Sequence, residues 1–451
     1  MVQAKDASID APGGSLHLVR RTVSAALALF VVVGLLGHAA PASAEITTPE
    51  GIKGFVKNER KDGDNVVRDP VAGAKVTVTT PDGAAVGEAT TDADGVYEIP
   101  LPAPGTYVLE LDTKSLPKGV TATVDNPTKR TVDIRPSQIL NGNFFVGKDL
   151  RTTKSKISRL PQAIFDGLFF GLIVAICAVG LSLIYGTTGL SNFAHGEMVT
   201  FGAVMAYVAN RTWGLNIFIA AAFGIICGTA AGWAFDRGVW QVLRKRRIGL
   251  TSQMVASIGL GIFFRYLIQY SYGNTTQAYS QFQNQTKPVK LGIIESPPRV
   301  LASLLVCIGV LVAVAAFLMR TRFGKAVRAV SDNPDLASST GINTNRVIGI
   351  VWAIGGGLAA LGGVLLALDE KLRWDSGNGL LLLMFAAITL GGLGSAFGAL
   401  VGSLVIGLAI ELSAWLFPDY IDLKRTAALA VLVVVLLIRP QGILGRKERI
   451  G

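Results

Sequence analysis

The chain has 451 residues and a formal net charge of +11; half of its residues are hydrophobic, only 16% are charged, and 52 are glycine. This balance excludes an ordinary soluble globular protein and points to a polytopic α-helical membrane protein. The region 45–159 carries 16 Lys and Arg against 16 Asp and Glu, so the positive excess lies elsewhere. Much of it falls in short loops between apolar segments, where it reports membrane orientation rather than nucleic-acid binding.

Residues 1–44 read as a signal peptide. Arg20 and Arg21 precede an apolar run over 23–37, and Ala42-Ser43-Ala44 supplies the small residues after which a signal peptidase cuts. An uncleaved signal anchor is the alternative, and either form places the next domain outside the cytoplasm. That domain, 45–147, has strand and turn chemistry throughout. Val76 and Val78, then Tyr97, Ile99 and Leu101, then Tyr107, Leu109 and Leu111 alternate with more polar neighbours, and Pro81-Asp82-Gly83, Asp94-Gly95 and Pro104-Gly105 mark turns. The spacing predicts a small all-β sandwich of about seven strands. Asp92, Asp94 and Gly95 form only a fragment of a calcium loop, so a β-turn is expected there and no metal.

A basic linker, 148–160, leads into a transmembrane domain over 161–440, and 441–451 forms a short tail. Nine apolar segments are expected in that domain: 161–185, 190–210, 215–235, 250–272, 300–319, 347–368, 379–393, 395–417 and 426–438. With the sandwich outside, an odd number of crossings leaves the carboxyl terminus in the cytoplasm. Loop charges agree, with fourteen Lys and Arg in the inner loops against eight in the outer ones. Cys177, Cys227 and Cys307 all lie in apolar segments and read as small buried hydrophobes, so no disulfide framework or Cys/His metal site is expected.

The second segment opens with Ser191-Asn192-Phe193-Ala194-His195-Gly196-Glu197. Two ionisable groups and an amide at the head of an apolar stretch are costly unless paired or facing water, and they predict a broken or partly re-entrant helix. Asn192, His195, Gly196 and Glu197, with Glu411 of the eighth segment, are candidates for a translocation pathway or gate. Structural burial between helices is the competing explanation. Arg265 and Asp236 lie nearer segment ends and are expected to snorkel or pair. Gly394, Gly398 and Gly402 recur every fourth residue and predict close helix packing, either within the chain or between chains. Gly355-Gly356-Gly357 sits in membrane context, and no Gly-x-x-x-x-Gly-Lys-Ser/Thr loop occurs in the sequence, so a partner must hydrolyse any ATP.

Residues 320–346, RTRFGKAVRAVSDNPDLASSTGINTNR, interrupt two apolar stretches. Asn333 can cap a helix, Pro334 suits its first position, Asp335 favours its positive end, and Gly341 can close it in a left-handed turn. The expectation is a short cytoplasmic helix of about seven residues whose apolar Leu336, Ala337 and Ile342 need a partner.

Three motifs, GLSLIYGTTGLSNFAHGEMVTFGA, TRFGKAVRAVSDNPDLASSTGINTNRV and GGLGSAFGALVGSLVIGLAIE with a later RPQGILG, resemble permeases of branched-chain amino acid ABC importers from about residue 161 to 446. The resemblance implies that Arg328, Ala329, Asp332, Leu336, Ala337, Gly341 and Ile342 belong to a coupling loop that enters a groove of an ATP-binding subunit. It also implies a second homologous permease subunit, an extracytoplasmic solute-binding protein, a bacterial plasma-membrane location and a small-molecule substrate: leucine, isoleucine or valine, with urea, short amides or other amino acids as the alternative. No catalytic residue and no cofactor belong to this reading. An ATP-independent channel or secondary transporter is the different-class alternative. The motifs PVAGAKVTV and TTDADGVYEIPLPAPGTYVLEL resemble carboxypeptidase regulatory-like and collagen-adhesin B-type domains, which ordinary members of the permease family lack.

Overall fold

A computed structural model of the chain describes residues 50–62, 65–117, 120, 128–134, 139–147, 156–280, 288–418, 424–439 and 441–444. The leader, most of the basic linker and most of the carboxyl-terminal tail lie outside the described residues. The chain divides into two compact units, one over Ala42–Lys154 and one that includes Ser155–Gly451.

The first unit is built on a 12-residue strand, β1 (Gly51–Asp62). Its first half pairs antiparallel with β5 (Val96–Pro100) and parallel with β8 (Ile139–Asn141); its second half pairs antiparallel with β2 (Asn65–Pro70) and parallel with β9 (Phe144–Gly147). A second sheet runs in the order β4 (Ala85–Thr90), β3 (Lys75–Thr79), β6 (Gly105–Leu111), β7 (Lys129–Ile134). The expected count of about seven strands is therefore corrected to nine among the described residues. The additional pairings are short and parallel, formed by chain returning from a distance, and alternation within one segment cannot reveal them. The predicted inward faces hold: Val76, Val78, Tyr97, Ile99, Leu109 and Leu111 are buried together with Ile52, Val56 and Phe144. The turn at Asp92 is closed by its own side chain, whose Oδ1 accepts from the N–H groups of Asp94 and Val96 at 3.0 and 2.7 Å.

Burial pushes the Tyr97 hydroxyl above its usual range, so it remains a donor, and it bonds the carbonyl of Gly142. Tyr97→Phe keeps the ring but strands that carbonyl. The expected cost is about 1–3 kcal/mol, read as a lower denaturant midpoint for this domain with an unchanged slope.

The second unit is helical. The helices are α1 (Leu160–Thr188), α2 (His195–Tyr207), α3 (Ile217–Phe235), α4 (Gln241–Lys245), α5 (Leu250–Tyr272), α6 (Pro298–Arg320), α7 (Arg322–Asp332), α8 (Pro334–Ser339), α9 (Thr344–Glu370), α10 (Ser376–Gly391), α11 (Ala396–Leu416) and α12 (Lys424–Ile438). Among the described residues, six helical stretches are long and apolar enough to cross a membrane, with α10 and α12 as shorter apolar helices. The third expected segment is longer than anticipated, because a π-turn over Asp236–Trp240 joins α3 to α4. A hairpin of β10 (Val289–Leu291) and β11 (Ile294–Ser296) fills part of the loop before α6.

Helices α1 and α9 form the centre of the bundle, and glycines set how closely it closes. A Cβ on Gly180 would meet the Gly355 carbonyl at 2.9 Å, and one on Gly356 would meet the Gly232 Cα at 3.0 Å. The glycine run of α9 is thus a packing surface shared by α1 and α3. Gly398 and Gly402 do the same between α11 and α10, within one chain. Gly394 departs from the expectation: it is not helical but sits at φ +78° in the turn between those two helices, against Gly186. A four-residue repeat does not distinguish a helical face from a turn followed by a face.

The contacts define two ends of the bundle. At one end, Gly186 of α1 meets Gly394 and Ser331, Asp236 lies against Gly349 near the start of α9, and the N–H groups of Ile443 and Leu444 bond the carbonyls of Leu390 and Gly391. At the other, Trp415 donates to the Lys156 carbonyl, and Glu411 pairs with Lys424 at 3.7 Å.

Candidate functional site

The chain turns back after α1. Gly189, at φ +68°, ends that helix, and residues 189–194 then run non-helically along α5 until α2 begins at His195. The neighbours record the path: a Cβ on Gly189 would meet Leu250, Phe193 lies beside Ser257, and Glu197 meets Arg265. Leu250 to Ser257 is seven residues of α5, about 10 Å of rise, so the irregular stretch climbs into the bundle before α2 begins. Helix α2 and the π-turn over Val208–Thr212 complete the passage, because Tyr207 and Asn210 reach Gln277 and Ser280, beyond the far end of α5. The expected broken helix is present, and the segment traverses the bundle as irregular chain followed by helix.

Local sequence explains how this backbone is tolerated. Asn192 Oδ1 accepts from the Ala194 N–H at 3.1 Å, and the Phe193 N–H donates to Ser257 Oγ at 3.1 Å. Irregular backbone away from water survives only when such partners exist. The contact between Gly196 and Gly377 then lets α2 and α10 approach so closely that no side chain fits between them. A further link is the Gly377 N–H to Thr200 Oγ1, 3.0 Å.

These elements bring a set of polar groups together. The Glu197 side chain is 3% exposed, and its Oε1 accepts from Arg265 Nε at 3.0 Å. The Arg265 guanidinium also donates to Asn378 Oδ1 of α10. His195 is fully buried, with Nε2 3.2 Å from the Cys177 carbonyl. A carbonyl can only accept, so Nε2 carries a proton, and in the neutral tautomer Nδ1 is the acceptor. Asn192 Nδ2, His195 Nδ1 and Glu197 Oε2 are buried without hydrogen-bond partners. Such a collection is expensive for a purely structural interior.

Sequence patterning points to Asn192, His195, Gly196 and Glu197, and Arg265, expected to snorkel or pair, does pair. The structure seats it against Glu197, 68 positions away, and adds Asn378 and Thr200. The usable signal was a lone arginine and a lone glutamate in separate apolar segments. Asp236 pairs as expected, with Arg244 at 2.6 Å. Glu411 is not brought to the cluster: its side chain is 25% exposed and it engages Lys424.

The loop between α6 and α9 is more helical than expected. Its first part forms α7, capped by Thr321, whose Oγ1 accepts from the Gly324 N–H at 2.9 Å. Asn333 then caps α8, accepting from Asp335 and Leu336 at 3.0 and 2.9 Å, with Pro334 in the first turn. Gly341, at φ +87°, closes it: the Gly341 N–H bonds the Ser338 carbonyl and the Ile342 N–H bonds the Ala337 carbonyl, the paired bonds of a Schellman motif. The helix has six residues. Two expectations about its apolar face need correction: Ala337 is buried in the protein's own core and Ile342 packs partly against it, while Leu336 remains 64% exposed. Arg328 and Asp332 are exposed and Ala329 is half-buried. The loop is thus anchored by Ala337 and presents Leu336.

Residues 163–438 match the profile of the family described as the branched-chain amino acid transport system permease component. The chain belongs to that family. The LivH high-affinity branched-chain amino acid permease protein of Salmonella typhimurium is 33% identical over 312 residues, covering 64% of this chain and 96% of that relative. LivH of Escherichia coli is 32% identical over 308 residues and BraD of Pseudomonas aeruginosa 32% over 303, with the same shares covered. Residues 51–137 match the carboxypeptidase regulatory-like domain, so this permease carries a β domain ahead of its helical one. The chain is a transport permease, and the polar cluster and the α7–α8 loop both fall inside the matched region.

Proposed function

We propose that this permease is the membrane subunit of an ABC importer for leucine, isoleucine and valine, driven by separate ATP-binding subunits. It would pair with a second homologous permease and receive solute from an extracytoplasmic binding protein. The observation that carries the reading is α8, a helix closed at both ends by its own sequence, anchored by Ala337 and offering Leu336 outward. Such an element can pass a partner's movement into the bundle, because Gly186 of α1 contacts Ser331 next to it. In the same reading Asn192, His195 and Glu197 line or gate the pathway. The end of the bundle that bears α7 and α8 faces the cytoplasm, together with the carboxyl terminus, and the β domain lies outside. The basic residues gathered at that end, Arg237, Arg244, Arg322, Lys325 and Arg328 among them, support this orientation.

Two substitutions test the coupling. Arg328→Glu reverses an exposed charge, and Gly341→Val places a branched residue at φ +87° where space is open, so only the backbone is strained. That strain is about 1–2 kcal/mol or more, concentrated on the Schellman closure. Both variants are expected to insert normally and to uncouple uptake from ATP hydrolysis in proteoliposomes. Unchanged coupling in both would reduce the loop to a connector. The β domain is proposed to contact the binding protein or the cell envelope. Deleting residues 51–146 should therefore weaken binding-protein affinity or envelope association, and a deletion that alters neither, nor uptake, refutes that role.

A further inference from the structure

The import reading leaves open which atoms of the permease touch the solute. Arg265 stands in the second half of α5 and keeps 21% of its side chain exposed, while Glu197 keeps 3%. The pair thus has an open side and a closed side. On the closed side Glu197 Oε2 is buried and unpartnered. Arg265 bonds Glu197 and Asn378 through two of the five N–H donors a guanidinium has. An internal ion pair built only for stability would use its groups more fully, since a half-satisfied buried pair is worse than an apolar one.

The surface around Arg265 is apolar. Outward residues of α6 are aliphatic, as lipid requires, with Leu305, Ile308 and Val312 exposed. The exposed residues of α5 are apolar too, with Val255, Ile258, Ile262, Phe263 and Tyr266 among them, and the exposed Thr251 and Ser252 lie in its first turn. Ile258 and Ile262 thus offer an aliphatic wall on the same side of α5 as the partly exposed Arg265.

We propose, resting on the import reading above, that Glu197 and Arg265 form a contact site for the charged head of an amino-acid zwitterion. The α-carboxylate takes the outward N–H groups of Arg265, and the α-ammonium takes Glu197 Oε2 once α5 draws away from α2. The aliphatic side chain lies along Ile258 and Ile262. The solute thereby exchanges one internal ion pair for two external ones, which keeps charge compensated throughout its passage.

The test uses the intact transporter in proteoliposomes, with its binding protein loaded with leucine, and follows labelled-leucine uptake and binding-protein-stimulated ATP hydrolysis together. In Arg265→Gln and Glu197→Gln, uptake is expected to fall roughly tenfold or more while stimulated hydrolysis continues, because each variant removes a charge-assisted bond. The double variant Glu197→Arg with Arg265→Glu restores a pair but exchanges its open and closed sides, so hydrolysis should persist and uptake should stay low. Uptake unchanged in the single variants, uptake and hydrolysis falling together, or uptake recovered by the exchange each assign the pair to structure and overturn the proposal. A wild-type transporter that moves an uncharged solute and no amino acid would instead sink the import reading itself.

Discussion

Replacing Gly377 by leucine is expected to eliminate the folded permease. A Cβ at that position would fall on the Gly196 carbonyl and lie 2.7 Å from Thr200 Oγ1, and both neighbours belong to the tightly held start of α2. Overpacking a well-filled core costs about 1–3 kcal/mol where side chains can shift, and more where backbone must move. Here the obstacle is backbone, and the helix that would be displaced carries His195 and Glu197. The measurement is thermal stability and monodispersity after detergent extraction. Gly309→Leu on α6 is the control, because nothing lies within 4 Å of a Cβ there. A stable Gly377→Leu protein would show that α2 and α10 can separate without loss of the bundle, contrary to the close contact described.

Leu336→Glu is expected to give the largest functional loss without a folding defect. Leu336 is 64% exposed, so the substitution removes little from the permease itself. In a partner's groove it forfeits about 1.5–3 kcal/mol of apolar burial and adds a carboxylate that must be desolvated. Together these predict a loss of well over tenfold in association with the ATP-binding subunit. The readouts are co-purification of that subunit and leucine uptake, with insertion checked separately. Ala337→Glu serves as contrast: Ala337 is buried in the protein's own core, so that variant should fail by destabilising the loop. Co-purification unchanged by Leu336→Glu would remove α8 from the coupling interface.

The sequence and the structure agree where the deciding interactions are local. Asn333, Pro334 and Gly341 cap a helix through bonds spanning at most a few residues, so their types and spacing announce it. The alternation at Val76 and Val78 is legible for the same reason. The pairing of Arg265 with Glu197 is not, because it depends on an extended stretch carrying α2 alongside α5. The burial of Ala337 likewise depends on how α8 leans on its neighbours, and nothing in its own segment separates it from Leu336. Gly394 resembled Gly398 and Gly402 by spacing alone, and only its positive φ separates it from them. The parallel strands β8 and β9 were hidden because their partner, β1, lies some eighty residues earlier and shows no clean alternation.

The crossing made of residues 189–194 and α2 has a consequence for biogenesis. A membrane-insertion machine reads continuous apolar helix, and this segment offers 13 α-helical residues headed by a histidine and a glutamate. The Phe193 N–H finds its partner on Ser257 and the Glu197 carboxylate on Arg265, both of which are synthesised later. These bonds, and the one from Gly377 to Thr200, can close only after α5 and α10 have been made. The segment's final placement is a folding event within the membrane rather than an insertion event, and the order of synthesis makes the polar cluster one of the last parts of the permease to form.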